Sequence, residues 1–226
     1  MSEARPAEWA DVIFERYLTR LMKRSFNAVN LFGEEPAVSP DRPLVLIGNH
    51  NTWWDGFFPY ILNKKLFKRK FFIMMLEEQL ARFPFFRRLG AYGIRQGHPH
   101  SVIETLTYSA RLLGDAATLL CMFPQGELVP FHARPLGFKK GLERILRIHG
   151  GPVTLLQLAM RCEFLGTRLP EVFFLFGPPL EVSAETAPSL QQMERTQEEL
   201  MQRVESMIAC GARGRMLLGE ARAGTA

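Results

Sequence analysis

The segment GNHNTWWDGF at positions 48–57 sets an imidazole, His50, ahead of a carboxylate, Asp55, with two tryptophans between them. A histidine whose one ring nitrogen is held by a carboxylate has a fixed tautomer and a more basic free nitrogen, which is what a general base requires. The intervening residues give the chain room to turn, so the Asp55 carboxylate can reach Nδ1 while Nε2 faces a substrate. A histidine and an aspartate at this spacing also arise by chance, so their surroundings decide the reading. Three further stretches follow in order: GAYGIR at 90–95, FPQGE at 123–127, and FKKG at 138–141 with GPPL at 177–180. Arg95 carries the planar fork that suits a phosphate, although a surface arginine in an ion pair has the same composition. His98 and His100 have no cysteine or carboxylate at ligand spacing, so a loop is expected there and no metal.

These residues need elements to hold them. LVLIGNH is a buried strand running into His50, and DGFFPYILNKKLF resumes with helical character, so His50 falls on a strand-to-helix turn. KRKFFIMML, AATLLCMFP, PVTLLQLAM and EVFFLFG are further strands. SVIETLTYSARLLG, FKKGLERILRIHG and SLQQMERTQEELMQRVESMI are helices, and EEQLARFPFFRRLG is a broken one. Alternating strands and helices predict a single α/β domain with a mostly parallel or mixed sheet flanked by helices. Ahead of it, Trp9, Val12, Ile13, Tyr17, Leu21, Phe26 and Val29 recur near helical spacing, with Arg16, Arg20, Lys23 and Arg24 between them. The expected organisation is an amphipathic basic helix over 1–32, a main domain over 43–210, and a flexible Gly- and Ala-rich tail over 211–226.

At 226 residues, 47% hydrophobic and 23% charged, the chain is long and apolar enough for one full core and is not a disordered or fibrous protein. The net charge of +5 suggests an anionic partner: a membrane surface, a phosphorylated small molecule or nucleic acid. Lys64, Lys65, Lys68, Arg69 and Lys70 are either a solvated face or an attractor for such a partner. The three cysteines are scattered and form no CxxC, which indicates neither a disulfide framework nor a zinc site and fits a reducing cytosol. No apolar run approaches the ~18–20 residues needed to span a bilayer.

Taken together, NHNTWWD, the Gly90, Ile94 and Arg95 of GAYGIR, and FPQG resemble the glycerolipid (lysophosphatidic acid) acyltransferase family, whose first block has the form HxxxxD. The likeness runs from about Leu44 to Leu180 with the blocks in the family's order. It implies His50 as catalytic base and Asp55 as its orienting partner. It implies that Gly90, Ile94 and Arg95 meet the acceptor's phosphate, and that Phe123, Pro124, Gln125, Gly126 and Glu127 form the third substrate-binding block. This chain departs from the pattern at Gln125, where Glu is usual, at Glu127, where a small hydroxyl residue is common, and near Gln157, where the fourth block has a proline.

The chemistry is consistent with that likeness on its own terms. An acyl thioester is already an activated electrophile, so the protein needs a base for the acceptor hydroxyl and donors for the developing oxyanion more than a nucleophile of its own. No GxSxG elbow is present. Trp53 and Trp54 would pack around the base, stack on a sugar or line an acyl entrance, and the many phenylalanines of the first half would form core or an acyl channel. The expectation is a cytoplasmic enzyme on the inner face of a membrane, taking acyl-coenzyme A or acyl carrier protein as donor and a lipid as acceptor, with no cofactor and no nucleic acid. Acylation of another lipid hydroxyl, for instance on a glycosylated lipid, is the alternative acceptor reading. A non-catalytic basic lipid-binding module is the alternative outside enzymes, and it predicts no dependence on His50.

Overall fold

The computed structural model of the chain describes residues 1–219. In chain order the elements are α1 (Glu8–Ser25), β1 (Ala28–Phe32), β2 (Leu44–Gly48), α2 (Phe58–Leu62), β3 (Lys70–Leu76), α3 (Glu77–Arg82), β4 (Ala91–Ile94), α4 (Pro99–Leu112) and β5 (Thr118–Met122). There follow α5 (Gly141–His149), β6 (Val153–Glu163), β7 (Glu171–Phe176), β8 (Leu180–Val182), α6 (Leu190–Ala209) and β9 (Arg215–Gly219). Among the described residues the strands form one sheet in the order β4-β3-β5-β2-β6-β7-β1-β9, with β8 paired to β6. Strands β4, β3, β5, β2 and β6 run parallel, β7 turns back antiparallel to β6, and β1 follows β7 in parallel. The result is the expected single α/β domain with a mixed, mostly parallel sheet between helices.

Strand β2 lies in the middle and all five of its residues are buried, as a parallel strand covered on both faces must be. Its side chains alternate between two cores. Val45 and Ile47 join α4, α5 and α6 on one face, while Leu44 and Leu46 join α1 and α2 on the other. That burial brings β2 straight to His50, and because β2, β3, β4 and β5 are parallel, their carboxyl ends lie along one edge of the sheet. Ligand sites of open α/β sheets form along this edge.

Three sequence expectations change at the ends of the chain. The first helix stops at Ser25, and residues 28–32 are β1, whose five residues are all buried between β7 and β9. Phe26 is already extended, with φ −130°, so its helical spacing from Val29 was a coincidence of two apolar residues three apart. The segment 215–219, expected to be flexible, is β9 and pairs antiparallel with β1; the remainder of that expected tail, 220–226, lies outside the described residues. The main domain therefore includes β1 and β9, which flank the expected boundaries 43–210.

The face of α1 also differs from the expectation. The helix buries Ala10, Phe14, Leu18 and Met22, a stripe at a spacing of four, and leaves Trp9, Val12, Ile13 and Tyr17 exposed at 58%, 49%, 57% and 58%. Two apolar stripes share this helix and only one faces the core. Tyr60 on α2 fastens the helix in place by donating its hydroxyl to Asp11 Oδ1 at 2.7 Å, and Lys64 pairs with the same carboxylate.

Candidate active site

The turn after β2 is built by short polar residues that satisfy one another. Thr52 caps a single 3-10 turn over Trp53–Gly56 and Asp55 closes the capping box, the reciprocal arrangement that a Thr-x-x-acid spacing favours. The buried Asp55 carboxylate accepts from Asn51 N at 2.5 Å, Thr52 N at 2.8 Å and Thr52 Oγ1 at 2.7 Å. It also faces His50 Nδ1 at 3.1 Å. Nδ1 is thus the nitrogen that carries the proton toward a carboxylate, and Nε2 is left for chemistry. The His50 side chain retains 24% exposure against 2% for Asp55, so the imidazole meets solvent while its partner does not. Phe123 stacks on the imidazole with centroids 4.4 Å apart and planes within 12°, which fixes the ring's rotation.

The third block lies beside the first because β5 and β2 are neighbours. Gln125, buried at 1%, accepts from the His50 main-chain N–H through Oε1 at 2.6 Å, and its Nε2 finds no partner among the described residues. Val129 N donates to the His50 carbonyl at 2.9 Å, so the histidine's backbone is held on both sides. Pro124 O accepts from Lys139 N at 2.8 Å, and the Lys139 side chain lies against Gly126, whose φ of +72° is a left-handed conformation that favours glycine. Glu127 is exposed and pairs with Lys139 Nζ at 3.6 Å. These five predicted residues, Phe123 to Glu127, come together with His50 and Asp55.

The second block is only partly brought to this edge. Arg95 follows β4 at its carboxyl end and lines an open cavity of about 510 Å³ with Glu77, His100 and Glu104. Burial pushes the Glu77 carboxyl up, but hydrogen bonds from Ser2 and, more weakly, the charges of the amino terminus and Arg95 bring it below the usual range. Arg95 therefore lies near a carboxylate. Ile94 ends β4, whereas Gly90 sits at the strand's opposite end, away from His50. Its φ is +94°, and a Cβ there would meet the Phe71 carbonyl at 1.9 Å, so this glycine serves a tight turn and a close approach. His98 and His100 lie exposed at the start of α4, and no group of three or more metal-ligating side chains occurs among the described residues.

Residues outside the predicted set complete the site. Thr52 was legible as a capping residue in TWWD. Gln96 Nε2 donates to the Gly126 carbonyl at 2.8 Å and ties the second block to the third, a contact with no sequence signature. Arg161, at the carboxyl end of β6, lies 4.1 Å above the Phe131 ring and pairs with Glu163 at 2.6 Å. Burial, with Asp55 second, pushes the neighbouring Cys162 thiol up to about 12, and the buried Cys121 thiol is raised as well, so neither is suited to act as a nucleophile.

A buried carboxylate thus stands behind an accessible imidazole at the carboxyl ends of parallel strands. A family model described as Acyltransferase matches residues 29–156, more than half of the chain, and the protein belongs to that family. The matched span contains His50, Asp55, Arg95 and the third block. Among solved structures, the chain is similar to that of the 1-acyl-sn-glycerophosphate (LPA) acyltransferase PlsC from Thermotoga maritima. The two share 18% sequence identity with a TM-score of 0.62, over 89% of this chain and 81% of that one. No curated protein sequence matches.

Proposed function

We propose that this acyltransferase moves a fatty acyl group from a coenzyme A or acyl carrier protein thioester to a hydroxyl of a glycerophosphate lipid such as lysophosphatidic acid, with His50 as general base. The observation that carries this reading is the 3.1 Å contact between His50 Nδ1 and the buried Asp55, which leaves Nε2 as the proton acceptor. Nε2 takes the proton of the acceptor hydroxyl as its oxygen attacks the thioester carbonyl. The tetrahedral intermediate then collapses, the C–S bond breaks, and the imidazolium returns its proton to the departing thiolate. Asp55 stabilises the imidazolium between these steps. The resemblance to PlsC, a 1-acyl-sn-glycerophosphate acyltransferase, supports a phosphorylated acceptor, and so does Arg95. The departures of the third block, with Gln125 in place of the usual Glu and Glu127 in place of a small hydroxyl residue, favour the second reading, acylation of another lipid hydroxyl, for instance on a glycosylated lipid.

The test is to incubate the purified protein with mixed acyl-coenzyme A and a total lipid extract and to identify by mass spectrometry which lipid gains an acyl group. If the product is phosphatidic acid, Arg95→Ala should raise KM for lysophosphatidic acid about tenfold or more and leave KM for the thioester within twofold, with Arg95→Lys in between. Acylation of a neutral or glycosylated lipid would displace lysophosphatidic acid in favour of the second reading. No acylated product from any acceptor would remove the enzymatic reading altogether.

The substrates imply a membrane, and among the described residues no helix is long and apolar enough to cross one. The outward stripe of α1 suits an anionic bilayer instead. Trp9, Ile13 and Tyr17 stand exposed beside Arg16 and Arg20, and Trp9 touches Phe85 with ring centroids 6.3 Å apart, widening the apolar surface toward the half-exposed Trp53–Phe57 cluster. Apolar insertion with flanking cations is the pattern of an interfacial helix. Replacing Ile13 and Tyr17 by Ser should lower sedimentation with anionic vesicles several-fold while changing the unfolding free energy by no more than about 0.5 kcal/mol each. Leu18→Ala, on the buried stripe, should cost about 2–5 kcal/mol instead. Undiminished vesicle binding by the Ile13 and Tyr17 variant would exclude this face.

A further inference from the structure

We propose that Gln197, in the middle of α6, is a positioning residue for acyl transfer: through Asn49 it fixes the point at which His50 leaves the sheet. The proposal rests on His50 being the base. Main-chain pairing between β2 and β6 ends at Gly48 opposite Leu158. Beyond that point a side chain continues the ladder. Asn49 Oδ1 accepts from Met160 N at 2.9 Å and Asn49 Nδ2 donates to Met160 O at 2.9 Å, so the carboxamide copies a peptide group. Gln197 Nε2 donates to Leu158 O at 2.9 Å and to Asn49 Oδ1 at 3.4 Å. It thereby grips the last residue of β6 paired to β2 and holds the oxygen end of Asn49 toward the Met160 N–H.

The network continues on both sides. Gln157 Nε2 donates to Gln197 Oε1 at 3.3 Å and to Met193 O at 2.8 Å, which anchors it in α6. Asn49 Nδ2 also donates to Asn51 Oδ1, and Asn51 Nδ2 donates to Val129 O at 2.7 Å. The residues on either side of His50 are therefore held by carboxamides whose chain of bonds begins on a helix far along the sequence. Asn49 and Gln197 are fully buried and Gln157 is 4% exposed. Packing alone does not call for this, since buried amides lose their hydration and aliphatic side chains of the same volume do not. What the amides add is direction: reversing Asn49 or Gln197 sets donor against donor, and reversing Gln157 sets acceptor against acceptor. A fixed exit from β2 keeps the His50 ring between Asp55 and Phe123, and displacement of a catalytic group by about 1 Å can cost about 100-fold in rate.

The experiment compares Gln197→Met, which keeps volume and removes the donors, with Gln157→Met, which cuts the network on its helix side and leaves Asn49 paired to Gln197. Gln197→Asn, one methylene too short to reach, serves if the methionine variant fails to fold. With lysophosphatidic acid and a long-chain acyl-coenzyme A as probes, Gln197→Met should lower kcat about 10- to 100-fold and keep both KM values within twofold. Gln157→Met, at a comparable loss of thermal stability, should stay within about threefold of wild-type kcat. Two readouts need no turnover: the ring-nitrogen NMR signals of His50, and amide hydrogen exchange over 49–52. In Gln197→Met the ring signals should move toward a mixture of tautomers and the exchange should quicken at least tenfold. If the ring signals and exchange of Gln197→Met match wild type, or if both variants lose kcat equally at equal stability, Gln197 is a packing residue and the proposal is wrong. If instead they change as expected but the wild-type protein turns over no substrate, the positioning role stands and the acyl-transfer reading fails.

Discussion

His50→Ala should lose at least two orders of magnitude in kcat while remaining folded. General-base catalysis contributes about 10² to 10⁴ in rate, which is about 3–5 kcal/mol of barrier. Folding should survive because the structural bonds at this position belong to the main chain: His50 N to Gln125 Oε1 at 2.6 Å and Val129 N to the His50 carbonyl at 2.9 Å. Neither depends on the imidazole. The side chain contributes its stack on Phe123 and its contact with Asp55, and Asp55 keeps three other donors without it. The measurement is steady-state turnover beside a thermal melt. A folded variant with more than about a tenth of wild-type kcat would make His50 a structural histidine and return the non-catalytic lipid-binding reading to first place.

Asp55→Asn should come close to the same loss, for a reason this site makes specific. In many His-Asp pairs the amide turns its NH₂ toward the ring and stabilises the wrong tautomer. Here the oxygen that faces His50 Nδ1 also accepts from the main-chain N–H groups of Asn51 and Thr52. Those two donors would turn the asparagine oxygen the same way, so the tautomer is largely retained and what disappears is the negative charge that stabilises the imidazolium. The expected loss is about 100-fold or more in kcat with little change in either KM. Asp55→Ala also leaves the Asn51 and Thr52 main-chain donors without their acceptor and should add a stability cost of about 1–3 kcal/mol. The double variant His50→Ala, Asp55→Asn should be scarcely slower than either single one, because each has already lost the same function. Losses that multiply instead would show that Asp55 acts independently of His50.

Some of this was legible in the amino-acid sequence. Continuous apolar runs such as LVLIG and TLLCM predict buried parallel strands because covered strands need no polar face. Turn residues after them place His50 and Phe123 at strand ends. TWWD contains its own capping box, so the link between His50, Thr52 and Asp55 is a local matter of a few residues. The family likeness rests on these same short stretches, which is why His50, Asp55 and the third block can be singled out without coordinates. The register of β4 was not legible, and so Gly90 was grouped with Arg95 although four strand residues separate the turn it serves from the edge that carries the site.

Tertiary structure decided the rest, and the physical reason is that apolar periodicity states that a face is buried without stating against what. In α1 both stripes satisfy helical spacing; docking on α2, with Tyr60 and Lys64 drawn to Asp11, chooses Phe14, Leu18 and Met22 for the core and turns Trp9, Ile13 and Tyr17 outward. AVNLF at 28–32 joins the helical pattern on paper and becomes a strand because β7 offers it a parallel partner across more than a hundred residues of chain. The amides behind the site are equally silent in sequence, since Gln197 reads as one polar residue in a polar helix until the fold brings it against Asn49. Bonds within a turn are set by neighbours along the chain, whereas the choice of face, strand partner and buried amide belongs to contacts that exist only once the sheet has formed.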